Sequence, residues 1–97
     1  LVLDPLAPNW TIEESRQGDD RYLLALRHKA IHNGGDGEAR QVFSRRAAQL
    51  AGQPGFGAYE VLTWQQGIES SRPFARRVAY GEVRLLRVTP PVAAAKP

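Results

Sequence analysis

The stretch Glu38–Ala51 (EARQVFSRRAAQLA) is the clearest structural signal in the chain and decides its fold. Successive residues of a helix are rotated by about 100°, so apolar side chains three and four positions apart share one face. A helix with one apolar face needs a second layer that buries it, and the rest of the chain must supply that layer. The apolar arc of this helix consists of Ala39, Val42, Phe43, Ala47 and Leu50.

The ends of this helix carry residues that are typical of helix termini. Asp36 can accept hydrogen bonds from the free N–H groups of the first turn, and its charge suits the positive end of the helix. Gly52 is expected to end the helix. Arg46 falls inside the apolar arc, so its guanidinium must either extend past the edge of the other layer or pair with a carboxylate such as Glu60 or Glu82.

Two strands are predicted before the helix. Residues 10–14 (WTIEE) alternate apolar and polar side chains, as a half-buried strand does, and residues 15–20 (SRQGDD) read as a turn. Residues 21–32 (RYLLALRHKAIH) fit either a strand or a helix ending near Gly34. A strand, a short glycine-containing turn and a second apolar run are typical of a hairpin, which favours the strand.

Two more strands are predicted after the helix. Residues 58–64 (AYEVLTW) are rich in strand-forming types, and residues 74–88 form a longer strand, with residues 65–73 (QQGIESSRP) as a polar connection. The apolar positions of the longer strand change parity at Gly81, which predicts a β-bulge or bend there. In the shorter strand, one face is expected to carry Tyr59 and Val61, and the other Leu62 and Trp64.

The resulting element order is β-β-α-β-β, which predicts an α+β two-layer sandwich with one helix on an antiparallel sheet of about four strands. Residues 1–8 are expected to be a flexible tether, residues 9–88 a single α+β domain, and residues 89–97 a disordered tail. The predicted core consists of Trp10, Ile12, Leu24, Leu26, Phe43, Ala47, Leu50, Val61, Val83 and Leu85.

Composition restricts the possible function classes. The 97 residues carry a net charge of +3, and they include no cysteine and no methionine. A chain without cysteine has no thiolate nucleophile, iron–sulfur cluster or cysteine-ligated zinc. Without an initiator methionine, the chain is expected to begin inside a longer precursor. The first 20 residues hold five acidic groups and one basic group, so the remaining body is the basic part.

No motif indicates catalysis or a bound cofactor. His28, His32 and Asp36 have a ligand-like spacing, but as a strand the two histidines would stand about 13 Å apart, so no metal site is expected. The glycine loop before the helix lacks the lysine of a phosphate-binding loop. Neither an enzyme nor a small-molecule substrate is predicted. Side chains suited to a binding surface remain, namely Arg45, Arg76, Arg77, Tyr80 and Trp64.

The segment GGDGEARQVFSRRAAQLAGQPGFGAYEVLTWQQGIES and the later RRVAYGEVRL resemble small, mostly uncharacterised proteobacterial envelope proteins that are described as lipoproteins. The likeness covers about residues 34–86 and rests on packing and turn motifs. It implies a precursor with a signal peptide, a periplasmic or outer-membrane-tethered location, a lipid anchor in the full-length form, and another envelope protein as partner. It implies no catalytic residue.

Two functions are therefore expected from different classes. One is a non-enzymatic binding or envelope-maintenance domain in the periplasm of a Gram-negative bacterium. The alternative is a basic nucleic-acid-binding module that uses the arginine-rich surface of the sheet and helix. The net charge of +3 is mild for nucleic-acid binding. A subunit that pairs through an edge strand is a third interpretation.

Overall fold

A computed structural model describes residues 1–29, 37–71 and 74–88. It contains four strands and one helix in the predicted order β-β-α-β-β, so the α+β two-layer fold is confirmed. The elements are β1 (Trp10–Arg16), β2 (Arg21–His28), α1 (Glu38–Ala51), β3 (Phe56–Ser71) and β4 (Phe74–Arg87).

The sheet has the strand order β1-β2-β4-β3, and every neighbouring pair is antiparallel. Helix α1 packs against β3, β4 and β2 on one face of this sheet. Gly81 lies at the centre, because it is opposite Leu24 of β2 and also opposite Trp64 of β3. The ambiguous segment after the first turn is a strand from Arg21 to His28, as the hairpin pattern favoured.

The core lies between the helix and the sheet, and it is close to the predicted one. Nine of the ten predicted residues are buried, and the tenth, Val61, is half-buried against the same cluster. Phe43, in the middle of the helix, is fully enclosed and is the main contact of the helix with the sheet. The core also contains five buried residues that were not in the predicted core, namely Tyr22, Ala39, Val42, Ala51 and Ala79.

The helix ends largely as expected. It finishes at Ala51, and the Gly52 N–H donates to the carbonyl oxygens of Ala48 and Gln49. Gly37 precedes the first turn with a φ of 81°, a conformation that favours glycine. Asp36, the predicted cap, lies outside the described residues.

The polar stretch after Trp64 is not a connection, and this prediction was wrong. Strand β3 continues to Ser71 in an unbroken ladder with β4, in which Gln65 faces Tyr80 and Glu69 faces Arg76. Cross-strand pairing therefore overrides the low strand propensity of this polar sequence. The β3–β4 hairpin extends beyond the end of β2 as a two-stranded arm, because β2 pairs with β4 no further than Val78.

The bulge or bend predicted at Gly81 is absent, and an unpredicted bulge lies on the facing strand β3. The register of β3 shifts between Val61 and Thr63, which leaves Leu62 as the extra residue. This shift moves Trp64 onto the helix face together with Tyr59, where a regular strand would have placed it on the other face. Strand β4 itself keeps a single parity, with Ala79, Gly81, Val83 and Leu85 all buried toward the helix.

The N-terminal segment packs on the domain, which differs from the expected tether. Val2 forms a β-bridge with Ile12 through two backbone hydrogen bonds of 2.8 and 3.2 Å. The Asp4 side chain is 6% exposed, and its carboxylate accepts hydrogen bonds from Arg45 Nε at 2.7 Å and from the Leu6 N–H at 2.8 Å. Backbone pairing and a partly buried ion pair thus hold this segment. The predicted tail, residues 89–97, lies outside the described residues.

Arg46 pairs with a carboxylate, but with neither of the two expected ones. Its Nε and Nη2 donate to the two Glu14 oxygens at 2.6 and 3.0 Å, which ties the helix to β1. The hydrogen bonds that Arg46 donates to Glu14 raise the pKa of Arg46 above its ordinary value, against the opposing effect of burial. A group whose pKa is raised in the folded state stabilises the fold while it is protonated. Because arginine stays protonated well above neutral pH, this pair gives the stability of the fold no pH dependence near neutrality.

Candidate binding face

The sheet has one face under the helix and a second face without a covering element among the described residues, which we call the open face. Strand alternation and register place every second residue there. Its centre is apolar, and its edges are polar or charged. The central side chains are Leu23 and Ala25 of β2 with Val78 and Tyr80 of β4.

The charges of the open face are balanced and mostly paired. Three ion pairs cross between neighbouring or next-neighbouring strands, with nitrogen–oxygen distances of 3.0 to 3.2 Å. Both partners of each pair keep access to solvent, so the pairs fix side-chain orientation more than they stabilise the fold. The pairs are Arg21–Glu82, Arg27–Glu69 and Arg84–Glu60.

A shallow depression of about 360 Å³ lies in this face, and we call it the Tyr80 groove. Ala25 and Val78 line its base, because their side chains are short, and Tyr80 forms one wall. The Arg27–Glu69 ion pair spans β4 and closes the opposite end. The remaining lining comes mainly from Leu1, Thr11 and Glu13.

The groove offers an accessible contact surface. Tyr80 is 44% exposed, so its ring and hydroxyl are accessible to a partner. On β1, the exposed carboxylate of Glu13 makes no hydrogen bond or ion pair with another described residue. A depression this open leaves a small ligand largely hydrated, whereas enclosed pockets bury most of the ligand surface. The geometry therefore suits a macromolecular surface.

His28 is buried at the end of β2. It is 4% exposed and lies edge-on to Trp10, with ring centroids 4.8 Å apart. Trp10 in turn donates from Nε1 to Glu38 Oε1 at 3.1 Å, which links β1 to the first turn of the helix. His28 thus belongs to the packing at one end of the core. Across the described ranges, no cluster of three or more His, Cys, Asp or Glu side chains could hold a metal ion, and His32 is outside them.

The five predicted binding residues do not form one site. Arg76 and Tyr80 share the open face of β4, two positions on either side of Val78. Arg77 lies on the helix side of the hairpin arm, opposite Ile68. Arg45 forms an ion pair with Asp4.

Trp64 has a structural role on the helix side of the sheet. Its ring lies 4.8 Å from that of Phe43, and the guanidinium of Arg40 stands 5.2 Å from the Trp64 ring centroid. This stack covers the end of the core near β3. Trp64 therefore contributes to helix packing and lies on the face opposite Tyr80, so the two candidate residues do not share a surface.

Sequence reasoning missed Ala25, Arg27, Glu69 and Val78 as members of the groove. Their assembly depends on the pairing of β2 with β4, which are separated in the chain by the helix and β3. The usable signal was the alternation in residues 21–28, which puts Ala25 and Arg27 on the face opposite Leu24 and Leu26. The partner strand could not be identified from this alternation.

The comparisons add no relative to this geometry. No family model, no curated protein and no solved structure matches the chain. In the described part of the chain, no helix has the length and apolar character needed to cross a membrane.

Proposed function

We propose that this chain is a non-catalytic protein-binding domain that engages its partner through the Tyr80 groove. The observation that carries the proposal is an accessible apolar centre on a sheet face whose margins are lined by oriented ion pairs. Protein interfaces have the same arrangement, with an apolar centre and a polar rim.

The side chains of the groove fit such a role. Tyrosine and arginine are enriched among the residues that contribute most to protein binding, because they offer a large rigid contact area and several hydrogen bonds. Tyr80 has both an exposed ring and a hydroxyl, and Arg27 is held in place by Glu69 at 3.0 Å. Arg27 is thus already held by Glu69 before a partner arrives, which reduces the entropy lost on binding.

Charge balance favours a protein over a nucleic acid as the partner. The open face brings together four arginines and four glutamates, and three of the arginines are paired. Nucleic-acid surfaces need an excess of positive charge to displace counterions from phosphates. The arginines are Arg21, Arg27, Arg76 and Arg84, and the glutamates are Glu13, Glu60, Glu69 and Glu82.

We further propose that the domain acts in the bacterial envelope, with another envelope protein as its partner. The resemblance of residues 34–86 to envelope lipoproteins supports export to the periplasm and a lipid anchor in the full-length form. Cell fractionation of the full-length protein checks this part separately. Recovery with the cytosol and an unprocessed N-terminus would contradict it.

Photocrosslinking from the groove tests the binding function. With p-benzoylphenylalanine in place of Tyr80, irradiation of cells that express the full-length protein should give one discrete adduct. The adduct should be destroyed by protease and resist nuclease. Filling the groove with Ala25→Arg should reduce the adduct by about 10-fold or more, because an interface anchor contributes about 2 kcal/mol.

The matched control carries the same photoreactive residue at Ala48, which is exposed on the helix. We expect no such adduct from that position. An adduct that is equal from both positions, or unaffected by Ala25→Arg in a variant with unchanged circular dichroism, would contradict the proposal. A nuclease-sensitive adduct would contradict the proposal and support the alternative of a nucleic-acid-binding module.

A further inference from the structure

The two edge strands of the sheet differ in length and in how far another described segment covers them. Strand β1, at one edge, has 7 residues and is covered at Ile12 by the bridge to Val2. Strand β3, at the other edge, has 16 residues, and no described segment other than β4 pairs with it. Every second residue of β3 therefore directs its backbone N–H and C=O groups away from the sheet.

Natural edge strands usually carry features that prevent pairing with another chain, such as bulges, lysines or prolines. In β3 these features are confined to the first half, where the register shifts near Gly57 and Leu62. From Thr63 to Ser71 the ladder with β4 is continuous. This half (TWQQGIESS) has no lysine or proline and a single charged residue, Glu69. Among the described residues, nothing protects this half of the edge.

The exposed side chains on this edge complement those of a second copy. If two β3 strands pair antiparallel about Gln66, Trp64 of each copy faces Ile68 of the other. Both residues lie on the helix side of the sheet, since they are opposite Gly81 and Arg77 of β4. Ile68 is 63% exposed in the single chain, so this pairing gives a large apolar side chain an aromatic neighbour.

The same register avoids repulsion. Glu69, the charged residue of this half, faces Thr63 of the other copy, whose hydroxyl can donate to it. A shift of the centre to Gly67 would place Ile68 opposite Gln66 and lose both aromatic contacts. The side chains thus favour the register centred on Gln66 over the one centred on Gly67.

We propose that this chain forms a symmetric homodimer through antiparallel pairing of the Thr63–Glu69 segment of β3, which joins two four-stranded sheets into one of eight strands. The two-fold axis passes beside Gln66 and perpendicular to the sheet. Both helices then lie on one face, and the open faces with their Tyr80 grooves are continuous on the other. The paired segment and the Tyr80 groove share only Glu69, which pairs with Arg27 at one end of the groove, whereas Tyr80, Ala25 and Val78 lie on β2 and β4.

Sedimentation velocity from micromolar to millimolar concentration tests the dimer. We expect the weight-average mass of the wild-type chain to rise from 10.7 kDa toward twice that value. Ile68→Asp should raise the dimer dissociation constant by about 10-fold or more, because it puts a charge opposite the indole of the other copy. The control Val88→Asp changes a 56% exposed residue outside β3 and should leave the constant unchanged.

Cysteine crosslinking tests the register, since the chain has no cysteine of its own. With Gln66→Cys the two sulfur-bearing residues face each other, and mild oxidation should yield a covalent dimer. With Ser70→Cys they stand about 26 Å apart, and no such dimer should form. A wild-type chain that stays monomeric at millimolar concentration overturns the proposal, and so does equal crosslinking from both positions. Neither result affects the crosslinking expected from Tyr80.

Discussion

Phe43→Ala should lower the free energy of unfolding by about 3–5 kcal/mol, the usual loss for a large aromatic side chain in a core. Phe43 is 0% exposed, and its ring contacts Trp64 and lies against the backbone of Gly81. Its removal leaves a void between the helix and the two longest strands. Because small domains are stable by about 5–15 kcal/mol, much of the native stability would be lost. Urea denaturation followed by circular dichroism measures the change.

The control for this experiment is Leu86→Ala, on the opposite face of β4. Leu86 is 39% exposed and pairs with Ala58, so its truncation should cost about 1 kcal/mol or less. Equal losses from the two variants would mean that the helix does not pack where the structure places it.

Gly81→Ala should destabilise the domain by about 1–3 kcal/mol, although it adds a single methyl group. A Cβ at this position would stand 2.7 Å from the Thr63 carbonyl oxygen and 2.8 Å from a ring carbon of Phe43. The first of these atoms is backbone, so the contact cannot be relieved by a rotamer change. Thermal or urea unfolding of the variant measures the loss.

Gly67→Ala is the matched control, because Gly67 is also a strand glycine. A Cβ there meets nothing within 4 Å, and alanine suits a strand better than glycine. Its stability should equal or slightly exceed that of the wild type. A neutral Gly81→Ala variant would show that the close approach of Phe43 to β4 is absent.

The helix and the order of the elements could be predicted because their signals are local. The apolar arc of Glu38–Ala51 and the glycine after it determine a helix of defined length. The alternation in β1 and β2 similarly indicates strands whose buried residues can be read from the sequence.

The features that were missed depend on residues far apart in the chain. The outer half of β3 is polar, and it becomes a strand because β4 supplies a partner for each residue. A parity change was predicted at Gly81, but β4 keeps one parity and simply carries Val78 and Tyr80 on the open face. The bulge lies at Leu62 on the facing strand. Register between two strands cannot be obtained from one of them.

The candidate site was predicted in part for the same reason. Tyr80 and Arg76 were identified by residue type, and both lie on the open face. Trp64 was assigned to the face opposite Tyr59 because the bulge before it could not be anticipated. Arg45 was predicted as a binding-surface residue, whereas Asp4, 41 positions earlier, accepts its hydrogen bond.

Thiol labelling of two single-cysteine variants tests most directly that one sheet face lies under the helix and the other is open. Ala25 and Ala79 are alanines on neighbouring strands, but Ala25 is exposed on the open face and Ala79 is 4% exposed under the helix. Ala25→Cys should react with a maleimide at the rate of an unfolded peptide. Ala79→Cys should react at least about 100-fold more slowly, because its labelling requires opening of the core. Fast labelling of Ala79→Cys, or protection of Ala25→Cys in the purified chain, would contradict the structure and the binding face proposed from it.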